Sequence, residues 1–182
     1  MSGVTELINH GCHWYDLAMA MAGDVEPVWA SGLVDDPGKF DDWRRGDPHG
    51  RGWVGLDNGV NLAVMSEGGR RAFTVLGSQG RLEILNEAGE AYLWVADPAS
   101  GALLEQPRLV DLPRSTEPWP RGPASIRDLV KAVRMGGKTM CDVPEARRAT
   151  EIGFAIHASS ALDGACVPIP VLDRTLRIDS RP

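Results

Sequence analysis

Over residues 5–22, Ile8, Cys12, Tyr15, Met19 and Ala22 recur at spacings of three and four, which predicts an amphipathic helix. Ser2 or Thr5 can cap its start, and Gly23 can close its end. From Val25 the period falls to two, with Val28, Ala30, Gly32 and Val34 alternating against Trp29, Ser31 and Leu33 as in a strand. Residues 35–51, rich in Asp, Gly and Pro, predict a loop. Short strands follow at 52–56, 60–66, 71–76, 81–85 and 91–96. They are separated by Asp57-Asn58-Gly59, Glu67-Gly68-Gly69, Gly77-Ser78-Gln79-Gly80, Asn86-Glu87-Ala88-Gly89 and Asp97-Pro98, the turn chemistry of an antiparallel meander.

A further strand is expected around 108–112. After it, Pro113, Pro118, Pro120 and Pro123 mark a connector that continues neither a strand nor a helix. Ile126, Leu129, Val130 and Val133 predict an amphipathic helix ending at Gly136-Gly137. A second helix is expected over 144–164, with Pro144 in its first turn and Ala149, Ile152, Ile156 and Ala158 facing inward. Residues 167–178 read as extended, their prolines restricting them to a sheet edge or a wrapping arm.

This order predicts an α+β fold, an open and mostly antiparallel sheet of about seven strands with helices on one face. One domain spans 1–182: a helix over 1–24, the sheet over 25–112, helices over 124–164 and an extended tail over 165–182. At 182 residues, 43% hydrophobic and 24% charged, the chain is large enough to bury a core. Its net charge is −6 and its longest basic run is a pair such as Arg44-Arg45, which argues against a surface that tracks nucleic-acid phosphates. The longest apolar run, 17–23, is far short of the roughly 20 residues that span a bilayer, so no membrane segment is expected. Glu6 and Asp16 surround that run and no Lys or Arg precedes it, unlike a secretion signal. Cys12, Cys141 and Cys166 are odd in number and widely spaced, which indicates neither a disulfide framework nor a zinc knuckle; a reducing cytoplasm is the expected location.

The densest polar cluster lies on the first predicted helix: Asn9, His10, Cys12, His13 and Asp16. Residues three apart on a helix share a face, so His10 can neighbour His13 and His13 can neighbour Asp16. An imidazole can take or give a proton near neutral pH while Asp16 holds its other ring nitrogen, the arrangement of general acid/base work on a substrate hydroxyl. The same residues also suit a histidine near a helix start that only satisfies backbone or solvent. A third reading, with His10, His13 and Asp16 as metal ligands, lacks the His-x-x-x-His or paired-Cys spacing of established sites. Gly50-Arg51-Gly52-Trp53-Val54-Gly55 matches G-x-G-x-x-G, but polar residues precede it and a hairpin sequence follows, where a dinucleotide site needs a strand and then a helix. No cofactor site is therefore assigned to this chain. Of its aromatic residues, six are Trp, and Trp14 beside His13 is the one best placed to stack on a sugar ring.

Asn9-His10-Gly11-Cys12-His13-Trp14-Tyr15-Asp16-Leu17, followed by Gly23-Asp24, resembles a segment of the Gfo/Idh/MocA family, the relatives of glucose-fructose oxidoreductase and inositol dehydrogenase. Asp57-Asn58-Gly59 and the stretch 73–84 with Gly77 and Gly80 follow in the family's order. So do Ile126-x-x-Leu129-Val130-x-Ala132-Val133, Pro144-Glu145-Ala146-Arg147 and Val167-Pro168-Ile169-Pro170. The resemblance implies the α+β C-terminal domain of such an enzyme, which shapes a sugar or polyol site and dimerises through its open sheet. The family's N-terminal Rossmann domain, which binds NAD or NADP, has no counterpart here, nor has the Lys of its Glu-Lys-Pro motif. A fragment or shortened product is therefore expected, inactive without that domain. By resemblance, His13 matches the catalytic His and Asp16 the acidic residue after it; their neighbours His10 and Trp14 are the candidate substrate-binding residues. Asn9 stands where the family commonly has Asp, and its amide can orient a hydroxyl but cannot act as a base. The alternative is a non-catalytic sugar-binding or assembly module.

Overall fold

The structure is a computed structural model, and it describes residues 7–35, 47–65, 72–85, 90–97, 99–100, 102, 108–110 and 121–178. Its elements follow the predicted order: α1 (Gly11–Met21), β1 (Pro27–Val34), β2 (Gly50–Leu56), β3 (Asn61–Met65), β4 (Ala72–Gly77), β5 (Gly80–Leu85), β6 (Glu90–Val95), β7 (Arg108–Val110), α2 (Arg121–Met135), α3 (Val143–Ser160) and β8 (Val167–Pro168). The fold is α+β with open antiparallel sheets. The strands form two four-stranded sheets, β3-β2-β1-β8 and β4-β5-β6-β7, where the sequence pattern had suggested one. Alternation specifies which face of a strand is buried but not which neighbour shares its edge. Two compact units result, Met1–Gly68 with Ile126–Pro182, and Gly69–Ser125.

In the first unit, α3 lies across β1 and β2, and α1 packs against α3. Alternation on the sheet decides what α3 meets. Ala30, Gly32 and Val34 of β1 and Gly52 and Val54 of β2 share the inner face, with Gly32 directly opposite Gly52. A Cβ on Gly32 would stand 3.0 Å from Ile156 Cγ2, so the two glycines let the helix lie close on the strands. Ile152 and Ile156 of α3 are fully buried there, with Tyr15 and Met19 of α1 in the same core. The outer face carries Trp29, Ser31 and Leu33, Arg51 and Trp53, and Ala63 and Met65; Trp53, Leu33 and Met65 are exposed.

The ends of the helices follow local chemistry. Gly23, at φ +107°, lets the chain turn at the end of α1, with Gly23 N–H donating to Ala20 O and Asp24 N–H to Met19 O. Asp142 caps α3 in a reciprocal box with Glu145. Pro123 falls inside the first turn of α2 and not in a connector, because a missing N–H costs nothing where the helix has no partner for it. Pro113, Pro118 and Pro120 lie outside the described residues, as do Ser2 and Thr5. Ile126, Leu129, Val130 and Val133 of α2 are exposed in this chain.

The second unit is a meander. Phe73, Val75, Leu82, Ile84, Ala91 and Leu93 share one face of its sheet, and Thr74, Leu76, Arg81, Glu83, Tyr92 and Trp94 share the other. There the Arg81 guanidinium lies 4.9 Å from the centre of the Trp94 ring and pairs with Glu83. No helix among the described residues is long and apolar enough to cross a membrane.

Candidate functional site

The helix expected over 5–22 begins at Gly11, and residues 7–10 form a turn before it. That turn is fastened by its surroundings. Leu7 is fully buried, and Ile8 crosses α3 at Gly153, where a Cβ would come within 2.5 Å of Ile8 Cγ1. The carboxylate of Asp47 accepts from Ile8 N–H at 3.0 and 3.1 Å and from Asn9 N–H at 2.9 Å. His157, one turn beyond Gly153 on α3, brings Nε2 to 3.6 Å from Asp47 Oδ1. The N-cap residue of α1, His10, makes no side-chain capping bond, and its first turn holds no acidic residue, so Asp47 supplies the negative charge that a helix start favours.

The sequence-predicted site residues are arranged around this start. His10 and Asn9 lie in the entry turn, His10 half-buried and Asn9 exposed. His13 is exposed, on the side of α1 opposite the buried Tyr15. Asp16 and Trp14 are half-buried on opposite flanks, about 160° apart around the helix, whereas His13 and Asp16 differ by about 60°. Helix geometry therefore puts His13 and Asp16 on one side of α1 and Trp14 on the flank away from Asp16, nearer the N-cap residue His10. Among the described residues no hydrogen bond or ion pair joins His13 to Asp16.

Below these groups lies a drier layer. Burial pushes the Cys12 thiol up from its ordinary value, with the charges of Asp16 and Asp47 adding to the effect, while Cys12 Sγ donates to Asn9 O at 3.6 Å. Burial raises the Tyr15 hydroxyl far more, again with Asp47 nearby, and that hydroxyl has no hydrogen-bond partner among the described residues. Cys141, exposed in the turn before α3, is raised by partial burial and then by the charge of Asp16. The arrangement offers an exposed imidazole about one helical turn from a carboxylate, on a helix whose Cys12 and Tyr15 stay uncharged at neutral pH. Such an imidazole can exchange a proton with a bound hydroxyl.

Other sequence features resolve differently. Gly50 to Gly55 form strand β2, and a Cβ on Gly50 or Gly55 would collide with Leu7 or Trp29, so these glycines serve close packing and cradle no phosphate. A cavity of about 440 Å³ lies between α3 and the chain after β8, lined by residues including Phe154, Val171 and Leu176, and holds none of the predicted site residues. Its arginines, Arg147 and Arg174, already face Glu151 at 3.5 and 2.5 Å. Among the described residues no group of His, Cys, Asp and Glu is arranged to hold a metal ion. Sequence reasoning missed Asp47 and His157. They meet the entry turn only through the fold, and a separation of 39 residues between Ile8 and Asp47 leaves no local signal.

No protein-family model matches the chain, and no curated protein is significantly similar in sequence. Solved structures do match. Aldose-aldose oxidoreductase from Caulobacter crescentus, complexed with glycerol, is 15% identical with a TM-score of 0.67 over 90% of this chain and 47% of that one. Levoglucosan dehydrogenase in complex with NADH and L-sorbose is 17% identical, with a TM-score of 0.63 over 94% of this chain and 51% of that one. UDP-N-acetylglucosamine 3-dehydrogenase GnnA from Acidithiobacillus ferrooxidans is 16% identical, with a TM-score of 0.57 over 83% of this chain and 46% of that one. These are Gfo/Idh/MocA-type oxidoreductases, the family the sequence motifs resemble, and the likeness establishes the fold. The chain spans about half the length of the solved structures it matches.

Proposed function

We propose that this chain is the C-terminal, substrate-binding half of an NAD(P)-dependent oxidoreductase acting on a sugar or polyol, working in the cytoplasm as a homodimer. The observation that carries the reading is the fold likeness to sugar oxidoreductases over nearly the whole chain, combined with His13 standing exposed on α1 beside Asp16. In this reading His13 takes or gives the proton of a substrate hydroxyl, Asp16 holds it, Asn9 and His10 orient the sugar and Trp14 stacks on it. The described residues do not fit a nicotinamide cofactor, since the one G-x-G-x-x-G match lies in a packed strand. The redox half belongs to a separate nucleotide-binding domain. Trp53, Leu33 and Met65, exposed on the outer sheet face around Arg51, support the dimer, because apolar side chains grouped on one face gain from burial against a partner. Sedimentation at micromolar concentration checks it.

NMR titration of the chain with levoglucosan, L-sorbose and glycerol tests binding. The expected result is perturbation of His13 and Trp14 at millimolar ligand; no response up to about 100 mM, a concentration at which even weak complexes form, would overturn it. With a nucleotide-binding domain supplied in cis, His13→Ala should lower kcat by roughly 10²- to 10⁴-fold, and His10→Ala by much less. The non-catalytic alternative rests on Asn9, which cannot act as a base. It predicts sugar binding with no turnover in the same fusion.

A further inference from the structure

We infer that Asp47, backed by His157, is a positioning residue that sets where His13 stands. The inference rests on the reading of His13 as the acid/base. A helix start carries unsatisfied N–H groups and a partial positive charge, and the usual remedy is a capping side chain within the same turn. The entry to α1 has none. Asp47 instead fastens the turn that leads into the helix, taking Ile8 N–H and Asn9 N–H, just ahead of the N-cap, from the approach to β2. Its carboxylate is largely buried, and a carboxylate accepting backbone N–H bonds away from water makes the stronger, charge-assisted kind.

The geometry couples three elements. Asp47 is two residues from His49 and three from Gly50, both buried, and the Gly50 position abuts Leu7. On its other side it faces His157, which shares the α3 face of Gly153, where Ile8 crosses. The turn that carries Asn9 and His10 is thus held between the sheet and α3 at its backbone, and His13 follows one helical turn later, its N–H donating to His10 O at 3.2 Å. A loosened turn moves the first turn of α1 and the imidazole with it, whereas the core contacts of Tyr15 and Met19 hold the later turns.

The test uses NMR on the chain itself, with Asp47→Ala and Asp47→Asn. The ring ¹H–¹⁵N signals of His13 report position, and amide hydrogen exchange reports the fastening. In Asp47→Ala, Ile8 and Asn9 should exchange at least about tenfold faster, as expected for losing charge-assisted bonds, and the His13 ring signals should move, while Ile152 and Ile156 stay protected. Asp47→Asn keeps one acceptor oxygen and should return His13 toward its wild-type signals. His13 signals unchanged in Asp47→Ala would overturn the inference. So would loss of protection throughout α3 in both variants, because Asp47 would then serve the whole fold. The signals are read without ligand, so a chain that binds no sugar refutes the proposed function and leaves this result standing.

Discussion

Gly153→Ala pits two effects of similar size against each other at the crossing that holds the candidate site. In an open helical position, replacing Gly by Ala stabilises by about 1 kcal/mol through backbone entropy. At Gly153 the new methyl would stand 2.5 Å from Ile8 Cγ1 and 3.2 Å from Leu7 O. Ile8 is β-branched and stiff at χ1, Leu7 is fully buried, and the Ile8 and Asn9 amides are tied to Asp47, so the crossing segment has little freedom to retreat. Overpacking of this kind costs about 1–3 kcal/mol. The clash therefore wins, with a net loss of about 1 kcal/mol, or about 2–4 °C in Tm for a chain of this size. Urea unfolding measures it as a lowered midpoint at unchanged slope. In an Ile8→Ala background the clash disappears, and Gly153→Ala should become neutral or stabilising by up to about 1 kcal/mol, a coupling that only neighbours show. A Gly153→Ala protein about 1 kcal/mol more stable than wild type, with no coupling to Ile8, would refute the crossing.

Three other outcomes follow from the packing. Ser159 is fully buried, accepting from Gly32 N–H at 2.9 Å and donating to Ala165 O at 2.6 Å, so Ser159→Ala should cost about 2–3 kcal/mol in denaturant unfolding; a loss below about 0.5 kcal/mol would contradict those bonds. Burial alone would push the Glu151 carboxyl up, but Arg174, the Val171 amide and Arg147 hold it below the ordinary glutamate value. Its stabilisation is then complete above that ordinary value and lost as pH falls through the depressed one, and Glu151→Gln should flatten the acid limb of unfolding midpoints measured between about pH 7 and 3. The half-buried Cys12 thiol, raised by burial, should react with iodoacetamide at pH 7 more slowly than free cysteine; labelling as fast as free cysteine would contradict its burial.

Much of this protein is legible along the chain because it depends on neighbours in sequence. The period-two runs set the strands, the three-four spacing set α2 and α3, and Gly23, Gly136 and Pro144 marked helix ends, since capping and turn chemistry act within a few residues. The cluster Asn9, His10, His13 and Asp16 was visible for the same reason, as was the poor context of Gly50 to Gly55. Tertiary structure alone decided the rest. Strand edges carry no label, so only folding divided the strands into two sheets and seated β8 beside β1. The attachment of the entry turn of α1 depends on Asp47 and on Gly153 and His157 of α3, two stretches distant from it in sequence. No local pattern announces a carboxylate that will fasten the turn before a helix far from it in sequence, because the free energy that selects it exists only once the sheet and α3 have closed around the turn.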